Sequence, residues 1–198
     1  TAKGTEYNAT GSLHGFSVGP YATWYKESPN KSGSYVDVWA LWNRFDGTTN
    51  GEGIASESYR LQGLVLSAEV GYDQLLSKKA SQNGSNRFLK WQGQITYQGV
   101  DGGNKVESNG TVVDLSNTNV QTRLGVRYYS KPNTDKASYN QPYVELNWYH
   151  NTNPTETQLD ETKVSLQGTS NIGEIKIGTE YKVNKSTQLW GYGFYAKG

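Results

Sequence analysis

Apolar and polar residues alternate one for one along most of the chain. In VQTRLGVRYY (Val120–Tyr129), Gln121, Arg123, Gly125, Arg127 and Tyr129 share one side, and Val120, Thr122, Leu124, Val126 and Tyr128 share the other. Successive side chains of a β-strand point to opposite faces, so the stretch is a strand with one polar, cationic face and one apolar face. The pattern recurs. Gln92, Gln94, Thr96 and Gln98 oppose Trp91, Gly93, Ile95 and Tyr97; Tyr143, Glu145, Asn147 and Tyr149 oppose Pro142, Val144, Leu146 and Trp148. Glu174, Lys176, Gly178, Glu180 and Lys182 oppose Ile175, Ile177, Thr179, Tyr181 and Val183, and Ser67 and Glu69 oppose Leu64, Leu66, Ala68, Val70 and Tyr72. In SYVDVWALWNRF the polar side, with Asp37 and Asn43, also carries Trp39 and Leu41, and LWGYGF near the end resolves into no clear faces. No stretch has a helical period. The spacing predicts strands over 12–26, 34–45, 59–73, 87–100, 118–130, 141–151, 171–183 and 187–196, an all-β antiparallel meander of about eight strands.

Alternation alone does not say which face is inside. A soluble sandwich turns its apolar face to a core, and a membrane barrel turns it to lipid. The connections favour the barrel. ESPNKSG, KKASQNGSN, KPNTDKASYN and NKST are short or middling, whereas DGTTNGEGIASES, DGGNKVESNGTVVDLSNTN and NTNPTETQLDETKVSLQGTSN are long. Every second connection is long, so all the long ones fall at one end, the asymmetry of outer-membrane barrels. The aromatics add to this. Trp24, Tyr25, Tyr35, Tyr72, Phe88, Trp91, Tyr128, Tyr129, Tyr143, Tyr181 and Trp190 fall at the short-turn end; Trp42, Phe45, Tyr59, Tyr97, Trp148 and Tyr149 fall towards the long-loop end. Two bands of amphipathic rings are expected where lipid meets water. Of these, Trp24, Tyr72, Trp91, Tyr128 and Tyr181 make one candidate girdle, and Trp42, Tyr97 and Trp148 the other. Arg44 shares the apolar parity of Trp42 and is expected at the interface, with its stem in lipid and its head in water.

The composition fits a wall better than a packed core. Only 34% of the 198 residues are hydrophobic, yet there are 23 Gly, 15 Tyr and 6 Trp, fewer aliphatic residues than a soluble domain of one core normally has. The net charge of +1 offers nothing to a nucleic acid. The absence of Cys suits a route through an oxidising compartment. There is no Met, which no structural argument explains. No apolar run is long enough for a membrane-spanning helix, no signal peptide is recognisable, and Thr1 is no initiator. These features predict a mature, excised or truncated chain.

Catalytic chemistry finds little support. The only histidines, His14 and His150, both fall at the long-loop end, where an outer-membrane protease or lipid hydrolase would hold acid–base groups beside acids such as Asp46 or Glu57. Nothing sharper singles them out. No cofactor motif or metal-ligand spacing is present, and the sequon at Asn109 is read as accidental. The polar wall expected to face a lumen is Asp37, Glu69, Gln92, Gln94, Gln98, Gln121, Arg123, Arg127, Glu145, Asn147, Glu174, Lys176, Glu180 and Lys182. Such a wall either keeps a passage wet or holds the barrel's shape by cross-strand ion pairs.

Several stretches also resemble a known family. GFSVGPYATWY, SYVDVWALWNRFDGTTNGEGIASESY, LSAEVGY, NGTVVDLSNTNVQTRLGVRYY, QPYVELNWYHNT and SNIGEIKIGTEYKVN look like the translocator domain of adhesin-type autotransporters, outer-membrane proteins of Gram-negative bacteria. The resemblance covers nearly the whole chain, with QTRLGVR, VELNWYHNT and NIGEIKIG its most specific parts. It implies a barrel of about twelve strands that secretes and anchors an N-terminal passenger, a helix in the pore, and insertion by the outer-membrane assembly machinery. Residues 1–198 match from near the family's fourth strand and stop at GFYAKG, so the pore helix, the first strands and the closing strand are expected to be missing. A partial chain, an assembling barrel and an engineered smaller barrel all fit this. The rival functions are a small-solute porin, an outer-membrane enzyme and a soluble binding barrel.

Overall fold

The computed structural model describes residues 2–3, 8–27, 33–51, 53, 55–77, 84–132, 138–153, 156–159, 162–165, 169–184 and 186–198. The strands are β1 (Ala2–Lys3), β2 (Asn8–Val18), β3 (Tyr21–Glu27), β4 (Gly33–Gly51), β5 (Glu57–Ser77), β6 (Ser85–Asp101), β7 (Asn104–Val106), β8 (Val112–Asp114), β9 (Asn117–Pro132), β10 (Tyr139–Asn151), β11 (Glu156–Leu159), β12 (Thr162–Ser165), β13 (Asn171–Lys182) and β14 (Gln188–Lys197). One antiparallel sheet runs β1-β2-β4-β5-β6-β9-β10-β13-β14, with β3 also on β4. Among the described residues its first and last strands do not pair with each other.

The strand expected over 12–26 is divided at Gly19–Pro20, but both parts lie on β4 in one register, with Val18 opposite Trp42 and Tyr21 opposite Trp39. Proline has no N–H to give to the ladder, so the interruption falls where the sequence removes a donor. The Pro20 carbonyl still accepts from Ala40 N at 3.1 Å, which holds the two parts on one line.

A strand crosses a bilayer in about 9–11 residues. β10, β13 and β14, with 13, 12 and 10 residues, are near that length, whereas β4, β5 and β6, with 19, 21 and 17, are much longer. Their surplus extends towards the long connections. Of the three connections expected to be long, DGTTNGEGIASES is mostly strand, because β4 runs to Gly51 and β5 starts at Glu57; of the other two, one contains β7 and β8 and the other β11 and β12. The four strands form a second sheet in the order β12-β11-β8-β7, in which Val113 of one connection lies opposite Leu159 of the other. Short runs such as NKV and VVD carry too little pattern to show as strands; they exist because each finds an edge to pair with.

The two faces differ as the alternation requires. Among the described residues the buried hydrophobic side chains are Phe88, Val113, Tyr129 and Tyr143, and none is a buried Leu or Ile. The buried polar side chains, Asn43, Ser67, Asp73, Asn86, Thr96, Glu145 and Asn147, outnumber them. The aliphatics look outward: Val70, Leu124 and Ile177 are 57%, 54% and 62% exposed. An apolar surface of this extent is an interaction surface with lipid or protein, not the outside of a monomer in water.

Candidate functional site: a two-faced wall

The polar face is one connected net of ion pairs and hydrogen bonds across β4, β5, β6, β9, β10, β13 and β14. On β5, Glu69 accepts from Arg123 Nη2 at 2.7 Å, from Gln92 Nε2 at 3.2 Å and from the Tyr35 hydroxyl. Arg123 also donates to Gln94 at 3.0 Å and to Asn147 at 3.3 Å, and stands 3.6 Å from Glu145. Arg127 bridges Glu145 at 2.7 Å and Glu180 at 2.6 Å, with its guanidinium 3.7 Å from the centre of the Tyr143 ring. Asn147 donates to both Glu145 and Glu174, at 2.8 and 2.9 Å. Lys176 pairs with Glu174 at 3.0 Å and approaches Glu145 at 3.9 Å. Glu145 is only 4% exposed and Asn147 5%, so the middle of the net is shielded by its own members. A buried carboxylate needs such partners, because burying it alone is prohibitive.

The other expected wall residues sit around this centre. Asp37 accepts from Thr23 at 2.6 Å, Gln98 from Asn119 at 3.3 Å, Gln121 donates to Asn151 at 3.0 Å, and the Lys182 ammonium lies 5.8 Å from the Tyr139 ring centre. Tyr35, Ser67, Asp73, Lys90, Thr96 and Tyr149 are outside the expected wall, although the alternation already puts Ser67, Thr96 and Tyr149 on the polar side; all six lie on this face. Tyr149 donates to Glu174 at 3.0 Å, and Ser67 accepts from Gln94 at 2.9 Å. Their signal was parity: Asp73 shares the face of Glu69, and Tyr35 that of Asp37.

Parity also corrects the aromatic bands. Phe88, Tyr129 and Tyr143 do not face outward; they pack together inside the polar face with Leu75. Phe88 and Tyr129 stack with centroids 5.0 Å apart. Tyr129 donates to Asp73 at 2.9 Å, and Lys90 pairs with the same carboxylate at 3.7 Å. Tyr35 and Tyr149 are likewise inside, as their bonds to the net show. Trp190 lies opposite Glu180 and begins an exposed ladder with Tyr192 and Phe194 on the polar side of β14. Height along the strand sets a ring's band, but odd or even position sets its face. Trp24, Tyr72, Trp91, Tyr128, Tyr181, Trp42, Tyr97 and Trp148 do lie on the apolar face, and all eight are exposed. On that face Arg44 stands two residues beyond Trp42, 3.9 Å from Asp46, which Arg60 also engages at 2.9 Å. His14 is opposite Asp46, and His150 stacks on Trp148 with its Nδ1 3.0 Å from Asn171 Oδ1.

Beyond the spanning portion, the β7–β8 hairpin is fastened to the start of β5. Lys105 pairs with Glu57 at 2.7 Å and lies 4.3 Å over the Tyr59 ring; Ser108 N donates to Glu57 at 2.6 Å, and the Tyr59 hydroxyl to Glu107 at 2.5 Å. Gly103, with φ of 61°, turns the chain from β6 into β7, and Gly110, with φ of 88°, lies in the turn between β7 and β8; both are left-handed positions that favour glycine. The Lys105 hydrogen bond and the Ser108 amide hold the Glu57 carboxyl down at about 2. A depressed carboxylate contributes stability above its unfolded-chain value and loses it as pH falls through the folded value. Protection of the 104–114 amides from hydrogen exchange is therefore expected to persist from pH 7 through 4.5 and to fall as the pH approaches about 2. Glu57→Gln should show the loss already at neutral pH. Equal protection in that variant would remove the clasp from the account.

A single antiparallel sheet with a charged, hydrogen-bonded face, an exposed aliphatic face, and all its long connections at one end defines an outer-membrane β-barrel wall. Comparison with known proteins narrows the class. The family model for the autotransporter β-domain matches residues 1–193. The chain is 37% identical over 194 residues to the uncharacterized protein YuaQ of Escherichia coli strain K12, covering 94% of this chain and 14% of that one. It is 33% identical to the autotransporter adhesin AIDA-I of Escherichia coli, over 100% of this chain and 16% of that protein. The crystal structure of the transport unit of AIDA-I superposes with a TM-score of 0.82 at 34% identity, covering 96% of this chain and 62% of that one. The chain belongs to the autotransporter β-domain family, and its place is the outer membrane. It spans only a minor part of these two curated relatives.

Proposed function

We propose that residues 1–198 are a section of the translocator barrel through which an N-terminal passenger reaches the cell surface and by which it stays anchored. The observation that carries this reading is the ion-pair net on the face opposite the aliphatics. Arg123, Arg127 and Lys176 meet Glu69, Glu145, Glu174 and Glu180, so the net is close to neutral. From β5 to β13 a wall of this kind offers a passing chain little apolar surface and no strong field of one sign; the exposed Trp190, Tyr192 and Phe194 of β14 lie outside that stretch. Asp37, Gln92, Gln94, Gln98, Gln121, Asn147 and Lys182 complete the passage lining. The eight exposed aromatics sit at the two lipid–water boundaries. Lipid cannot satisfy open backbone, so the outer edges of β2, β3 and β14 pair with further strands of a larger barrel, and the outer-membrane assembly machinery inserts it. The role is geometric, without a reaction, metal or cofactor.

The test uses the full-length protein in a Gram-negative host. Protease added to intact cells is expected to cleave the passenger, and deletion of residues 1–198 should leave it protected. A passenger equally accessible without them overturns the reading. Ion-selective conductance that needs no passenger would instead favour a small-solute porin.

A further inference from the structure

We propose that the second sheet is a strap across the inner side of the mouth at the long-connection end, and that it parts between β8 and β11 to let the exported chain out. The proposal rests on the reading of residues 1–198 as part of a conduit.

The side on which the strap lies follows from parity. The β4–β5 register runs without a shift from Thr49 opposite Glu57 to Gly33 opposite Asp73. Glu57, Tyr59 and Leu61 are therefore on the face of Glu69 and the ion-pair net. These are the residues that the β7–β8 hairpin meets. Lys105 and the Ser108 amide bond to Glu57, and Glu107 accepts from the Tyr59 hydroxyl. At the root of β7 a Cβ on Gly102 would lie 2.5 Å from both Leu61 and Leu115, so the chain turns inward there, close against β5. The hairpin also reaches beyond β5. A cavity of about 470 Å³ lies between its Glu107, Val113 and Leu115 and the wall residues Leu13 of β2, Gly47 of β4 and Leu61 of β5. Leu13 stands opposite Gly47 and Gly47 opposite Tyr59, so this is again the inner face.

The other half of the strap comes from a different part of the wall. β11 and β12 belong to the connection between β10 and β13, whose root is closed by Asn151 N donating to the Ser170 carbonyl at 2.8 Å. In the main sheet, β6 and β9 lie between β5 and β10. A sheet held on β5 by one hairpin and rooted on β10 and β13 by the other crosses the inner side of the mouth, past the ends of β6 and β9. A chain leaving along the ion-pair net, which runs over those same strands, meets it.

The strap has one weak line. β11 and β12 pair along their whole length, from Glu156 opposite Ser165 to Leu159 opposite Thr162, and β7 and β8 pair from Asn104 opposite Asp114 to Val106 opposite Val112. Among the described residues the two hairpins are joined only by Asp114 opposite Gln158 and Val113 opposite Leu159. Segments that open for function are drawn from the least stable parts of a fold, and this seam is the shortest pairing in the strap. Parting there leaves β7–β8 clasped to β5 and lets β11–β12 swing outward on the ends of β10 and β13.

Residues 1–198 contain no cysteine, so a disulfide can be introduced to lock the seam. Facing residues of an antiparallel pair have Cα atoms about 4.5–5.5 Å apart, within reach of a disulfide. Asp114→Cys with Gln158→Cys bridges the seam; Val106→Cys with Val112→Cys bridges β7 and β8 within one hairpin and leaves the seam free. The full-length variants are expressed in a Gram-negative host with and without its periplasmic thiol oxidase, and protease is added to intact cells. Barrel folding is followed by heat-modifiable migration on gels, and each disulfide by migration without reductant. With the oxidase, the seam pair is expected to give a folded barrel whose passenger is protected, and reductant added to the cells should restore cleavage. The hairpin pair should display its passenger in both hosts. Equal cleavage of the oxidised and reduced seam variant, protection that reductant does not relieve, or loss of display by the hairpin pair overturns the strap. Each of those results leaves the conduit standing, which falls only if the passenger stays accessible after deletion of residues 1–198.

Discussion

Replacing Arg127 with Ala is expected to lower the unfolding free energy by about 3–5 kcal/mol, the cost of leaving a buried charge without its partner. Arg127 is the only cation paired with Glu180 among the described residues, and it makes the shortest ion pair of Glu145. Without it, Glu145 retains Arg123 at 3.6 Å and Lys176 at 3.9 Å, contacts too long for good hydrogen bonds. Tyr143 also loses the guanidinium over its ring, a contact worth about 0.5–2 kcal/mol. The measurement is urea unfolding of the full-length protein from vesicles, followed by tryptophan fluorescence. Adding Glu145→Gln to Arg127→Ala should recover part of the loss, since the stranded charge is removed along with its partner. A change below about 1 kcal/mol would mean that the pair is solvated like a surface ion pair.

Leu124→Arg tests the orientation of the whole sheet and should cost about 2–4 kcal/mol if the residue lies near the bilayer midplane. Leu124 is 54% exposed, so in a soluble protein an Arg there would be harmless or would improve solubility. In lipid, the guanidinium has no water within easy reach, and the residues paired with it across the sheet, Gly93 and Trp148, offer no carboxylate. The control is Gln98→Arg on the opposite face, where the side chain is exposed and its partner is Asn119; there the change should be small. Both variants are read by unfolding in vesicles and by the yield of folded protein in the membrane fraction. Equal effects of the two substitutions would sink the inside–outside assignment on which the conduit depends.

The Arg127 and Leu124 positions show how much could be read without coordinates. Their faces follow from odd and even numbering in VQTRLGVRYY. The strand order follows from the meander, and the two ends of the sheet from the lengths of the connections. Height along a strand is a poorer guide than parity: it puts Phe88, Tyr129 and Tyr143 in the short-turn band, but Tyr129 has the parity of Arg127 and Tyr143 that of Glu145, and the three pack together inside. The β7–β8 hairpin and its partner β11–β12 were invisible for a different reason. Each is three or four residues long, too short for a periodic signal, and is stabilised only by the neighbour it meets.

The sequence by itself determined the antiparallel strands, their two faces and the end at which the long connections lie. A period of two residues is a local property, fixed by the geometry of the extended chain. Only the tertiary structure decided which charges meet. Arg127 reaches Glu180 across 53 positions and Arg123 reaches Glu69 across 54. Those meetings depend on the stagger between strands, set by backbone pairing over the whole sheet.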